Sequence, residues 1–331
     1  MEYSDISILI PSLSRPKILI RKLNYYLKLG AKFKICICDS SPKIVKKFNE
    51  ELQKLSKKLR INYYYRPGLS DREALSYLIE NCDSQYSAFI ADDDFFIPEG
   101  LYKCAKYLEE NEDCRVAYGK SIIIDQISLN NPNKPIYASN YWGSKSFLEV
   151  QSKDRLDKLS RNYLVNMYGV HRTNEFLEDY KPSSISPSKS MGEVMVSYMT
   201  ISRGKAKFIP SAYLIRQSHS ERYLIPTKLS DLFVEDKLGE SLPLFLSSLT
   251  NTLERQKNSK DNASVIAKKV VKKYLDNYVF LSNKSNERKS IIDIFKKISF
   301  RILNSFRNKL FKRSKYFDGF LFYIKLISKI K

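Results

Sequence analysis

Short runs of consecutive apolar residues alternate, through the first part of the chain, with stretches in which apolar residues recur every three or four positions. Ile6-Ser7-Ile8-Leu9-Ile10 reads as a buried strand closed by Pro11. Ser14-Arg15-Pro16 opens a helix, with Ser14 as its cap, and the apolar positions Ile18, Leu19, Leu23, Tyr26 and Leu27 lead to a stop at Gly30. The alternation repeats with a strand from Phe33 to Cys38, a helix through Val45, Phe48, Leu52 and Leu55, and a strand from Ile61 to Tyr65. Ser70-Asp71-Arg72-Glu73 has the spacing of a capping box and starts a helix through Ala74, Leu75, Leu78 and Ile79. This helix leads into the apolar run Tyr86 to Ile90. Such a pattern predicts an α/β fold with a mainly parallel sheet and helices on both faces, in which ligands sit outside the carboxyl ends of the strands.

Those ends carry the candidate chemistry. The run Tyr86–Ile90 stops at Ala91-Asp92-Asp93-Asp94-Phe95, three adjacent acids that are costly beside a buried strand unless something cationic compensates them. A hard divalent cation, Mn²⁺ or Mg²⁺, is the natural candidate because it takes oxygen ligands and binds through one or two carboxylates plus substrate phosphates. A solvated acidic turn is the plain alternative. Pro11, Asp39 and the Pro67–Arg72 loop fall at the same edge of the predicted sheet, which favours a ligand site over a turn. As a loop acid at a strand end, Asp94 should be removable without harm to the fold.

The order of I-L-I-P-S-L-S-R-P, C-D-S-S, P-G-L-S-D-R-E-A-L and A-D-D-D-F-F-I-P-E-G-L resembles the nucleotide-sugar glycosyltransferases of the Rossmann-like GT-A fold, and among them glycosyltransferase family 2. The resemblance spans roughly residues 5–225 and implies an inverting, metal-dependent hexosyltransferase acting on a nucleoside-diphosphate sugar, with a glycan or lipid-linked acceptor in surface polysaccharide synthesis. It implies donor contacts from Pro11, Asp92, Asp39 (base), Arg72 (base or diphosphate) and Asp93 (ribose), and metal ligation by Asp94. Leu13 stands near the place where members commonly carry an aromatic residue. Tyr141-Trp142-Gly143 and the segment Arg161–Tyr168 are implied to build the acceptor side.

Farther on, Ser190-Met191-Gly192-Glu193 opens a helix that runs to Gly204. Ser190 and Glu193 have capping-box spacing, whereas the resemblance makes Glu193 the general base toward the acceptor hydroxyl. Arg216-Gln217-Ser218-His219 is similar to a late family element that folds over the diphosphate, with His219 a second metal ligand. The chain has two histidines, His171 and His219, which excludes a multi-histidine metal site.

Charge divides the chain into residues 1–240, the catalytic unit, and residues 241–331, a basic amphipathic helical region. Residues 241–331 hold 21 Lys and Arg against 6 Asp and Glu, and so +15 of the net +21. Ile291, Phe295, Ile298, Ile302, Phe306 and Leu310 recur at helical spacing among basic residues, and a second such stretch runs from Phe317 to Ile330. This region is expected either to pack on the body or to lie on an anionic membrane surface. Five cysteines without a C-x-x-C pair, no basic-then-apolar leader and no apolar run near the ~20 residues of a membrane span point to a cytoplasmic protein, peripheral at most. A nucleotidylyltransferase is the alternative enzyme, but P-S-L-S-R-P lacks its phosphate-loop glycines. A non-enzymatic nucleic-acid binder would explain the charge, but no aromatic-basic ladder lies on the strands.

Overall fold

The computed structural model describes residues 5–125, 138–140, 144–218, 237–256, 260–280 and 318–330. Nine strands form one sheet: β1 (Ile6–Ser12), β2 (Lys34–Asp39), β3 (Ile61–Tyr65), β4 (Tyr86–Phe89), β5 (Phe95–Phe96), β6 (Cys114–Asp125), β7 (Ala138–Asn140), β8 (Val170–Arg172) and β9 (Lys205–Ser218). Their order is β3-β2-β1-β4-β8-β6-β9-β5, with β7 beside β6. The expected α/β class holds, but the sheet is mixed. The β1–β2, β2–β3, β1–β4 and β6–β9 pairs are parallel, while β8, β5 and β7 run antiparallel to their neighbours.

The helices are α1 (Pro16–Lys28), α2 (Lys46–Ser56), α3 (Asp71–Glu80), α4 (Pro98–Glu110), α5 (Ser152–Arg161), α6 (Thr173–Ser184), α7 (Lys189–Arg203), α8 (Leu238–Glu254), α9 (Lys260–Tyr274) and α10 (Leu321–Lys329). Their starts partly differ from the sequence pattern. Ser70 and Glu73 make both halves of the expected capping box on α3. Ser14 does not cap α1; it takes a left-handed backbone (φ 56°), and its N–H donates to Ser41 Oγ at 2.8 Å, tying the β1 end to the β2 end. At α7 the cap is Ser188, whose Oγ accepts from Met191 N–H at 2.9 Å, so Ser190 and Glu193 form no capping box.

The core is continuous. The apolar residues of β1 and β2 are almost wholly buried, as expected of central parallel strands covered on both faces. The β9–α4 contact is close enough to exclude a methyl group: a Cβ on Gly100 would lie 2.2 Å from the Ala212 carbonyl oxygen and 2.9 Å from Tyr213 Cα. Backbone cannot yield there as a side chain would, so Gly100→Ala should cost about 1–3 kcal/mol or more. A melting temperature within a degree of the parent's would contradict this packing.

Residues beyond 240 are not detached from the body in the part described. Ser241 Oγ accepts from Ser188 N–H at 2.8 Å and bonds Ser186 Oγ at 3.1 Å, while Phe245, Leu249 and Leu253 of α8 are buried. In α10 and the turn before it, Phe320, Ile324, Ile327 and Ile330 are buried. The stretch ending at Ile330 therefore packs on the body rather than presenting its apolar face outward. The membrane expectation rests on both stretches, and the more basic one, Ile291–Leu310, lies outside the described residues. No helix among the described residues is long and apolar enough to cross a membrane.

Candidate active site

Strand register builds the first half of the site. The β1–β2 register sets Ser12 level with Asp39, and the β1–β4 register, which pairs Leu9 with Phe89, carried three residues on sets Ser12 level with Asp92. Ser12 Oγ accordingly donates to Asp92 Oδ2 at 3.2 Å. The antiparallel β5–β9 pair sets Phe95 opposite Ile215, so one step back Asp94 meets Arg216 and two steps back Asp93 meets Gln217. Arg216 Nε donates to Asp94 Oδ2 at 2.8 Å and Gln217 N–H to Asp94 Oδ1 at 2.9 Å. Gln217 Nε2 donates to the Asp93 carbonyl. Two registers thus bring Asp39 and the triplet to one edge, with the end of β9 closing it.

The triplet has cations of its own. Arg15 Nη1 lies 3.0 Å from Asp92 Oδ1 and 3.5 Å from Asp93 Oδ2. Lys22, fully buried in α1, donates to the Ala91 carbonyl. Burial pulls its ammonium down to about 8, against the pull of Asp92, Asp94 and Asp93. Burial likewise raises the carboxyls of Asp92 and Asp94, with Arg15 and Arg216 the main opposing charges. Three acids therefore meet three cations, Arg15, Lys22 and Arg216. The need for compensation was legible in the sequence; its source was not, because Lys22 reads there as a surface position on a helix.

This arrangement does not fit the expected metal role of Asp94. Its side chain is 1% exposed, and a guanidinium sits where a cation would bind. Among the described residues no three His, Cys, Asp or Glu side chains gather as a ligand set. His219 lies outside the described residues, as do Tyr141, Trp142 and Gly143. His171 is buried against Phe176, with ring centroids 4.3 Å apart, and burial lowers it to about 3. That is a packing role.

Asp39 combines an Asx turn with a second contact. Oδ1 accepts from Ser41 N–H at 2.9 Å and from Ser41 Oγ, and Oδ2 accepts from Tyr63 OH at 2.7 Å. A carboxylate has about four acceptor sites, so one is left. Arg72, expected on the donor, instead donates to the Ser186 carbonyl and, at 3.5 Å, to that of Ser183. With the Asp71–Lys189 ion pair at 3.5 Å, it holds the start of α7 against α3. Leu13 is 57% exposed at the β1 end.

The second half of the site is a cleft lined by Pro11, Arg72, Leu75, Phe89, Tyr180 and Glu193. Glu193, in the second turn of α7 and relieved of any capping duty, is half-buried there. Aromatic stacking connects the two halves. Phe89 packs on Tyr168 at 5.0 Å between centroids, and the Arg216 guanidinium lies 4.6 Å from the Tyr168 ring centroid. Tyr168 was expected on the acceptor side; it stands between the acid triplet and the Glu193 cleft. Sequence reasoning did not find Arg15 or Lys22, nor the contact of Gln217 with Asp93 and Asp94, because the partners are far along the chain.

An α/β sheet with acids at the carboxyl ends of its parallel strands and a cleft beside them is the architecture of the GT-A enzymes. The sequence model described as Glycosyl transferase family 2 matches residues 7–166, which cover β1 to α5 and include Asp39 and the triplet. The resemblance to glycosyltransferase family 2 is thereby supported, and the chain is a glycosyltransferase. In fold it is similar to the 1–349 fragment of S. aureus TarS, with a TM-score of 0.54 and 12% identity over 82% of this chain and 72% of that one. The same fragment in complex with UDP-GlcNAc (TM-score 0.54) and with UDP (0.52) matches at the same identity and coverage. Comparison with curated proteins finds no match.

Proposed function

We propose that the chain is an inverting transferase that moves a sugar from a nucleoside-diphosphate donor to a hydroxyl of a glycan or lipid-linked acceptor. The observation that carries this reading is the cleft that Glu193 and Pro11 both line, joined through Phe89 and Tyr168 to the Asp92–Asp94 end of β4. The donor lies along the strand ends. Asp39 offers its remaining acceptor site to the base, Asp92 and Asp93 meet the ribose, and Arg15, the most accessible of the three cations, meets the diphosphate.

The acceptor hydroxyl enters the cleft and gives its proton to the Glu193 carboxylate as its oxygen bonds the anomeric carbon. The bond from that carbon to the phosphate oxygen breaks, and the nucleoside diphosphate leaves with the electron pair. One displacement inverts the anomeric centre and needs no covalent enzyme intermediate. Positive charge near the diphosphate stabilises what develops there, in a site where burial strengthens each such contact.

A panel of nucleoside-diphosphate sugars screened by thermal shift tests the reading, with UDP-GlcNAc first because the TarS fragment of similar fold binds it. At least one donor should raise the melting temperature in a saturable way. Failure of every donor, with Mn²⁺ and with chelator, would overturn the reading. The two conditions also address the metal: a shift that needs Mn²⁺ requires Asp94 to exchange Arg216 for the ion.

A further inference from the structure

The last described helix ends against the candidate donor site. The final carbonyls of any helix lack partners within it and attract cations. The carbonyls of Ile327 in α10 and of Ile330, which follows its last residue, accept from Arg21 Nη2 and Nε, each at 3.2 Å. The third arm of the same guanidinium, Nη1, donates to Gln217 Oε1 at 3.3 Å. Gln217 in turn donates its side-chain amide to the Asp93 carbonyl and its backbone N–H to Asp94 Oδ1. The apolar side of the helix is held by burial of Phe320, Ile324 and Ile327, and Gly319 is close to Ala212, on the strand that carries Gln217.

We propose that α10 is part of the donor side of the site, with Arg21 as the positioning residue that seats Gln217 and, through it, Asp93 and Asp94. The guanidinium is planar and its donors have a fixed fork geometry, so the two arms on α10 and the one on Gln217 cannot move independently. Undocking the helix lets the fork rotate, and the Gln217 side chain loses the contact that aims it at Asp93. The proposal rests on the triplet being the donor side.

The test uses Ile327→Asp in the full chain, which places a charge in the buried face of α10 away from the triplet. Amide hydrogen exchange should quicken about tenfold in residues 321–329 and also in 91–97 and 213–218, while 34–39 and 61–65 stay as in the parent. UDP, used as the probe, should bind about tenfold more weakly. Release of 321–329 with unchanged exchange in 91–97 and 213–218 overturns the proposal, as does equal acceleration in 34–39 and 61–65, which would mean general loss of stability. Should the parent bind neither UDP nor any donor of the panel, the donor reading is what fails, and exchange alone decides the coupling. Arg21→Met and Arg21→Lys provide a second route if Ile327→Asp does not fold. Met should quicken 91–97, and Lys, which keeps one donor group, should recover part of the protection; identical behaviour of the two contradicts a positioning role.

Discussion

Asp94→Ala unfolds at a lower urea midpoint than the parent, by the equivalent of about 3–5 kcal/mol, the cost of breaking a buried ion pair from one side. The Arg216 side chain is 9% exposed and the Asp94 side chain 1%, so loss of the carboxylate leaves a guanidinium in the interior without its counter-charge. The Gln217 N–H loses its acceptor as well. Arg216→Met should cost a similar amount by stranding Asp94. The double variant Asp94→Leu with Arg216→Met should recover much of the loss, because replacing both members removes the desolvation penalty along with the attraction. Donor binding should fail in all three. A single Asp94→Ala variant with an unmoved midpoint would show that Asp94 is the removable loop acid that its place after a strand suggests.

Glu193→Gln behaves in the opposite way: stability holds and turnover collapses. Glutamine keeps the size and helix preference of glutamate, and the cap of α7 belongs to Ser188, so the melting temperature should scarcely change. It cannot take a proton, and removal of a general base lowers kcat on the order of 10²-fold or more. Donor affinity should be nearly unchanged, since Glu193 faces the cleft rather than the acid triplet. Ser188→Ala supplies the contrast, losing about 1 kcal/mol of stability with its cap while retaining the base. Turnover near the parent's in Glu193→Gln would refute the assignment.

What the sequence made legible was local or periodic. The strand Ile61–Tyr65 and the Ser70 capping box are read from adjacent residues and stand as expected. The shared edge of Pro11, Asp39 and Asp92–Asp94 follows from strand–helix alternation alone, since parallel strands must end on one side. Ser14 was misread as a cap, and the Arg72 contact with the start of α7 was not foreseen, for one reason: the partner, Ser41 or Ser186, sits on another element. Gln217 carries no sequence signal of its own beyond its place in the late Arg216–His219 element. Its importance arises from the β5–β9 register, and β5 is a two-residue strand with no periodicity to detect. Lys22 is hidden differently, because a lysine in an amphipathic helix is normally solvated, and only the tertiary fold reveals that this one lies under the Ala91 carbonyl.

The pairing of Asp94 with Arg216 spans 122 positions of sequence. During synthesis at about 5–20 residues per second, the acid triplet emerges roughly 6 to 24 s before its buried counter-charge. β1 to β4 can assemble in that interval with Arg15 and Lys22 beside them, since both precede the triplet in the chain. The β5–β9 pair cannot, and the Arg21 contact to Ile330, 309 positions apart, waits longer still. The nascent chain thus acquires its acid edge in two stages: an early parallel half in which the three acids of the triplet face two cations, then a late antiparallel clasp that brings the third.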